Sequence, residues 1–144
     1  MPLFIETQER LQARGLQFVA IAIDDPHLVQ DIMETSTQVI LGLLPRVLAE
    51  APITAIFFWE DMCYNAGPMI GPEHARKYLL PHYQRINQLC LNHGVRVIAL
   101  DSDGRLEELI PVWLDAGIHC LYPIEIGTSG NDPVILRKQF GKDL

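Results

Sequence analysis

Apolar residues along the chain recur first at helical and later at strand spacing, and the switches between the two mark its elements. Phe4–Arg14 reads as a short helix closed by Gly15. Asp25 followed by Pro26 has the form of a helix N-cap and first turn. Leu28, Ile32, Met33, Val39, Ile40, Leu43, Val47 and Leu48 then follow at near-helical spacing. Pro45 falls late in this run and predicts a kink or an early end, because its ring collides with the preceding turn. Ile53–Trp59 is a β-branched and aromatic run, the first strand, and Asp61–Ile70 a loop around Gly67-Pro68. Gly71-Pro72 opens a long helix to about His93, with Ala75, Leu79, Tyr83, Ile86 and Cys90 as its buried stripe, Pro81 as a bend and Gly94 as its stop. Val95–Leu100 is the second strand, Leu106–Ala116 a helix closed by Gly117, and His119–Ile124 the third strand. Asn131 or Asp132 caps a last helix to Phe140, with Pro133 in its first turn.

The pattern predicts one domain over 1–144: helical through 1–50, then βα units at 53–93, 95–116 and 118–140. The strands are apolar on both faces, as buried parallel strands are, and repeated βα units favour a parallel sheet. A small open sheet and part of a (β/α)8 barrel both fit; a whole barrel needs about 250 residues. In an open sheet the N-terminal helices would cover the bare face, and Phe18–Ile23 would add a short strand.

Composition narrows the partners. The 144 residues are 49% apolar and 20% charged, with a formal net charge of −7. No basic stripe is present for a nucleic acid, and anionic membrane surfaces are disfavoured for the same reason. No apolar run approaches the length of a membrane span, and the N-terminus lacks an export signal. Cys63, Cys90 and Cys120 are widely spaced, which fits reduced thiols in a cytoplasm better than a disulfide framework.

Acidic groups fall where strands end, the rim at which parallel α/β folds build their sites. Asp101-Ser102-Asp103-Gly104 follows the second strand. Its two aspartates read either as ligands of a divalent cation or as a helix N-cap with its turn. Glu60 and Asp61 end the first strand, either facing a cavity or as solvated loop acids. Glu125 ends the third, turned inward or paired with Arg105 or Lys138. Gathered on one rim, these carboxylates would raise each other's pKa values and suit proton transfer or call for a cation. Cys63 and Tyr64 lie within reach of such a cavity, and Trp59 reads as core or cavity wall. Trp113 reads as core, Cys63 as an inert thiol, and His27, His74, His82, His93 and His119 as exposed or structural residues.

The segments WEDMCYNAGPMIGPEHARKYLLPHYQRI, DSDGRLEELIPVWLDAGIHCLYPIE and DPVILRKQFGK, in this order and spacing, resemble the uroporphyrinogen decarboxylase superfamily. That superfamily also contains the methylated-corrinoid:thiol methyltransferases. The resemblance runs from about Phe18 to the C-terminus. It implies an α/β fold that is a partial (TIM-type) (β/α)8 barrel of about three βα units with parallel strands plus N-terminal helices. In the methyltransferase branch, the position of Asp101 and Asp103 resembles a His-x-Cys pair that binds zinc. Oxygen ligands there shift the preference from Zn²⁺ toward Mg²⁺, Mn²⁺ or Ca²⁺.

The function implied is decarboxylation or metal-assisted methyl transfer, a lyase of porphyrin biosynthesis or a methyltransferase, with the single chain inactive alone. Asp61, Glu60 and Asp101 would be the catalytic residues and Asp101 and Asp103 the metal ligands. Trp59, Tyr64, Ser102 and Glu125 would contact a small-molecule substrate, and a corrinoid protein is the partner of the methyltransferase branch. The alternative is a non-catalytic truncated half-barrel that forms a homodimer or larger oligomer to bury its open face.

Overall fold

The computed structural model describes residues 24–127 and 129–144. The helix expected over Phe4–Arg14 and the strand expected over Phe18–Ile23 lie outside the described residues. The rest is mixed α/β: five helices and a three-stranded parallel sheet. In chain order the elements are α1 (Pro26–Glu50), β1 (Ala55–Trp59), β2 (Cys63–Tyr64), β3 (Gly67–Pro68), α2 (Pro72–Tyr78), α3 (Leu80–Asn92), β4 (Val97–Asp101), α4 (Ile110–Asp115), β5 (Cys120–Tyr122) and α5 (Pro133–Phe140).

β4 lies between β1 and β5 and pairs in parallel with both. Strand side chains alternate between faces, and one set (Ile56 and Phe58 of β1, Ile98 and Leu100 of β4, Leu121 of β5) points into the helices. There they meet Tyr83, Ile86 and Cys90 of α3, and Val112 and Trp113 of α4. Trp113, Ile98, Leu100 and Ile110 are almost wholly removed from solvent. Each side chain of that size contributes about 1.5–3 kcal/mol through burial.

Proline decides where helices start and stop. Asp25 caps α1 as expected, its carboxylate accepting the Leu28 N–H at 3.0 Å. α1 runs on through Pro45 to Glu50, so the early end does not occur. The bend expected at Pro81 is a break: α2 stops at Tyr78 and α3 begins at Leu80. The helix expected over Leu106–Ala116 is α-helical only over Ile110–Asp115. Had it begun at Leu106, the Pro111 ring would have met the Glu107 carbonyl and lacked an N–H to donate.

α1 packs on α3 and α2. Its Leu41, Leu44 and Leu48 join the core on the helix side of the sheet, so the long N-terminal helix does not cover the opposite face. Glu34 of α1 holds Arg85 of α3 in a two-pronged ion pair at 2.5 and 3.1 Å. Thr37 donates to the Met33 carbonyl at 2.7 Å and lies 2.8 Å from His82 Nδ1. The hydroxyl proton is thereby used, so the imidazole carries hydrogen on Nδ1 and donates to Thr37. His82 is therefore part of the α1–α3 contact, not a residue of a solvated face.

Candidate functional site

The face of the sheet turned away from the helices carries Phe57 and Trp59 of β1, Ala99 and Asp101 of β4, and Cys120 and Tyr122 of β5. The register aligns them in two rows, Phe57–Ala99–Cys120 and Trp59–Asp101–Tyr122. Trp59 is 87% exposed, Phe57 60% and Tyr122 43%. The Phe57 and Tyr122 rings meet edge to face across Ala99, 5.7 Å apart at 88°. The small Ala99 side chain leaves room for that contact.

Asp101 is the carboxylate of the second row and Tyr122 faces it. Burial, and then the Asp101 carboxylate that its hydroxyl meets, push the Tyr122 phenol above its usual range. Beyond the strand ends the backbone closes over the rim. The Asp101 carbonyl accepts the N–H groups of both Glu60 and Asp61, at 3.0 and 3.2 Å. Asp61 takes up a left-handed φ of 44°, which turns the chain into β2. β2 and β3 form an antiparallel two-residue ladder inside the stretch expected to be plain loop.

The Ser102 hydroxyl is buried in that closure. It accepts the Met62 N–H at 3.2 Å and donates to the Asp103 carbonyl at 3.1 Å, tying the β1 and β4 loops together. Gly104 follows at φ 82°, so close to β2 that a Cβ would fall 2.5 Å from Tyr64 N. Only glycine fits there. The Tyr64 carbonyl accepts the Arg105 N–H at 3.0 Å, while its ring stays exposed.

Glu125 turns inward, yet onto backbone. One of its oxygens accepts the Gly104 N–H and the Ser129 hydroxyl, both at 2.7 Å. Those two bonds, Gly104 first, hold its pKa below the ordinary range. It pairs with neither Arg105 nor Lys138; Arg105 lies 3.7 Å from Glu107. Buried Asn131 completes the clasp, donating to the Gly104 carbonyl at 2.7 Å and accepting the Leu106 N–H at 3.3 Å. Sequence reasoning gives Asn131 only a capping role, and Asp132 takes that role instead. Asp103 caps nothing, since α4 begins seven residues later.

The charges at the three junctions act together on Asp103, an exposed residue. Its pKa is raised first by desolvation, then by the charges of Glu125, Asp61 and Asp101. Those charges thus raise Asp103, whereas Glu125 moves the other way because its two hydrogen bonds outweigh its loss of hydration. Glu60 lies apart from this group. It continues the Ile56–Phe58 alternation toward the helices, on the side of buried Tyr83 of α3, whose hydroxyl has no hydrogen-bond partner among the described residues. Burial raises the Glu60 pKa and Tyr83 partly offsets this. Cys63 is buried with its thiol pKa raised, as an inert thiol should be.

Among the described residues, no three His, Cys, Asp or Glu side chains converge as a ready metal centre. Asp101 and Asp103 are two oxygen donors. A catalytic zinc site takes three protein ligands, so the pair falls short of one.

Comparison with protein-family models, with curated proteins and with solved structures finds no match to this chain.

Proposed function

We propose that the chain forms part of a uroporphyrinogen-decarboxylase-like (β/α)8 barrel and that the rim around Asp101 is its site. The observation carrying this reading is that Asp101 stands at the strand-end row of an uncovered, aromatic sheet face, where its charge and those of Asp61 and Glu125 act on Asp103. Acids at parallel strand ends are where α/β barrels do their chemistry.

On this reading, Asp101 and Asp103 hold a hydrated divalent cation, whose charge relieves the repulsion that raises Asp103. When bound, the cation would polarise a substrate carboxylate or lower the pKa of a thiol, for decarboxylation or methyl transfer respectively. Proton transfer falls to Asp61, because Glu60 faces Tyr83 rather than the rim. Trp59 and Tyr122 wall the substrate. Glu125 and Ser102 position the loop that carries Asp103, acting through Gly104 and the Met62 amide. The test is Mn²⁺ binding followed by calorimetry: saturable binding in the native chain that disappears in the folded Asp101→Ala/Asp103→Ala double variant. Equal binding in both removes the assigned roles.

A second reading has its own observation. β1 and β5 are both edges of the sheet among the described residues, and Phe57, Trp59 and Tyr122 are exposed beside them. Unpaired edges and bare apolar faces invite association. A non-catalytic half-barrel would then bury this face against a second copy, as a homodimer or higher oligomer. Light scattering separates the two, since this reading requires association in the Asp101→Ala/Asp103→Ala variant as well.

A further inference from the structure

The row Trp59–Asp101–Tyr122 has a chemistry of its own. Registered partners on neighbouring parallel strands share a face, and strands lie about 4.8 Å apart. Trp59 and Tyr122 therefore flank Asp101 on either side, with their attachment points about 9–10 Å from each other. The Tyr122 ring leans across β4 onto Phe57 with its hydroxyl at Asp101, so the open side of Asp101 is the Trp59 side. A cation is attracted to a ring face within roughly 6 Å. Tyr122 is held in place, its ring by the T-shaped contact with Phe57 and its hydroxyl by the Asp101 carboxylate. Trp59, the best aromatic partner for a cation, is left open to solvent.

The electrostatics select the sign of the ligand. Asp101 lies at the centre of the row, and its charge acts on Asp103 together with those of Glu125 and Asp61. Arg105, the basic residue next in the chain, lies against Glu107. A compact ammonium or metal ion satisfies the carboxylate but gains little from two wide aromatic walls. A large, weakly hydrated organic cation gains from both.

We propose that this row is a recognition site for a quaternary ammonium group, with Trp59 and Tyr122 as its walls and Asp101 as its counter-ion. The proposal rests on the reading of this face as the site, and not on a metal being held there.

The test is isothermal calorimetry on the full chain in chelator, titrating choline against its neutral carbon isostere 3,3-dimethylbutan-1-ol at constant ionic strength. Choline should bind saturably, and the isostere more weakly by about tenfold or more. Asp101→Asn and Trp59→Leu should each weaken choline by about tenfold. Tyr122→Phe, which keeps the ring, should retain most of the binding that Tyr122→Leu loses. Trp59 is exposed, so its replacement leaves the core intact, and circular dichroism checks this. Absence of saturable choline binding, or equal binding of the isostere, overturns the proposal. Choline binding without any Mn²⁺ binding would leave it standing while ending the metal-assisted reading.

Discussion

The Glu125 carboxylate accepts the backbone N–H of Gly104 at 2.7 Å, and so the end of the third strand holds the turn that follows the second. Asn131 grips the same glycine through its carbonyl. Together the two side chains fix the loop that carries Asp103, although neither contacts Asp103 itself by any bond described here. Asn131→Ala removes the partners of two backbone groups, Gly104 O and Leu106 N, in a place closed to water. It should cost about 2–4 kcal/mol of stability, measured by urea denaturation, and should loosen the rim before it unfolds the sheet.

Gly104→Ala should be worse. The new Cβ meets the Cys63–Tyr64 backbone, which no rotamer can relieve, at a φ that L-residues avoid. A loss of more than about 3 kcal/mol or failure to fold is expected, while Gly42→Ala, in open space on α1, should be neutral or stabilising. Thermal denaturation of the two variants side by side checks the contrast.

Asp103→Asn should raise the melting temperature at neutral pH. The folded chain raises the Asp103 pKa above the ordinary 3.8, so ionised Asp103 opposes folding. That opposition is present above the folded pKa and fades as pH falls toward 3.8. The advantage of the asparagine variant should therefore shrink in acid. A gap between variant and native that is constant from pH 7 to low pH would show that charge is not its cause.

The α1–α3 contact should be lost in acid. Arg85 and then Gln38 hold the Glu34 carboxyl near 2, below the ordinary 4.5. A depressed acid contributes stability that is whole above 4.5 and disappears as pH falls from there through about 2. Arg85→Gln should remove that acid dependence. Protection of α1 amides against hydrogen exchange, followed from pH 6 to pH 3, reports it directly.

The parts legible in the sequence are those that strong local chemistry dictates. Three apolar runs give three parallel strands, Asp25-Pro26 gives a capped helix, and Trp113 is core, because alternation, capping and burial act within a few residues. The rim is legible as a collection of acids but not as an arrangement. Glu60 and Asp61 are neighbours in sequence, yet strand alternation and the left-handed turn at Asp61 send the one to Tyr83 and the other to the rim group. Glu125 and Asn131 are 21 and 27 residues from the Gly104 they hold, and no periodicity encodes such a bond. A signal was nevertheless present: an Asp-Ser-Asp-Gly run, followed far along by a Ser-Gly-Asn run, marks two turns that need polar partners. The misplaced helix start near Leu106 has a simpler cause, since Pro111 sits inside the apolar pattern and its steric veto outranks periodicity.

The central claim is that the Asp101 rim and the bare sheet face beside it form one functional surface that holds a cation. A native mass spectrum of the purified chain after exposure to Mn²⁺ tests it most directly. The account predicts one divalent ion for each chain, with the ion lost in the folded Asp101→Ala/Asp103→Ala variant. A chain free of any ion, or equal ion content in both proteins, would contradict it.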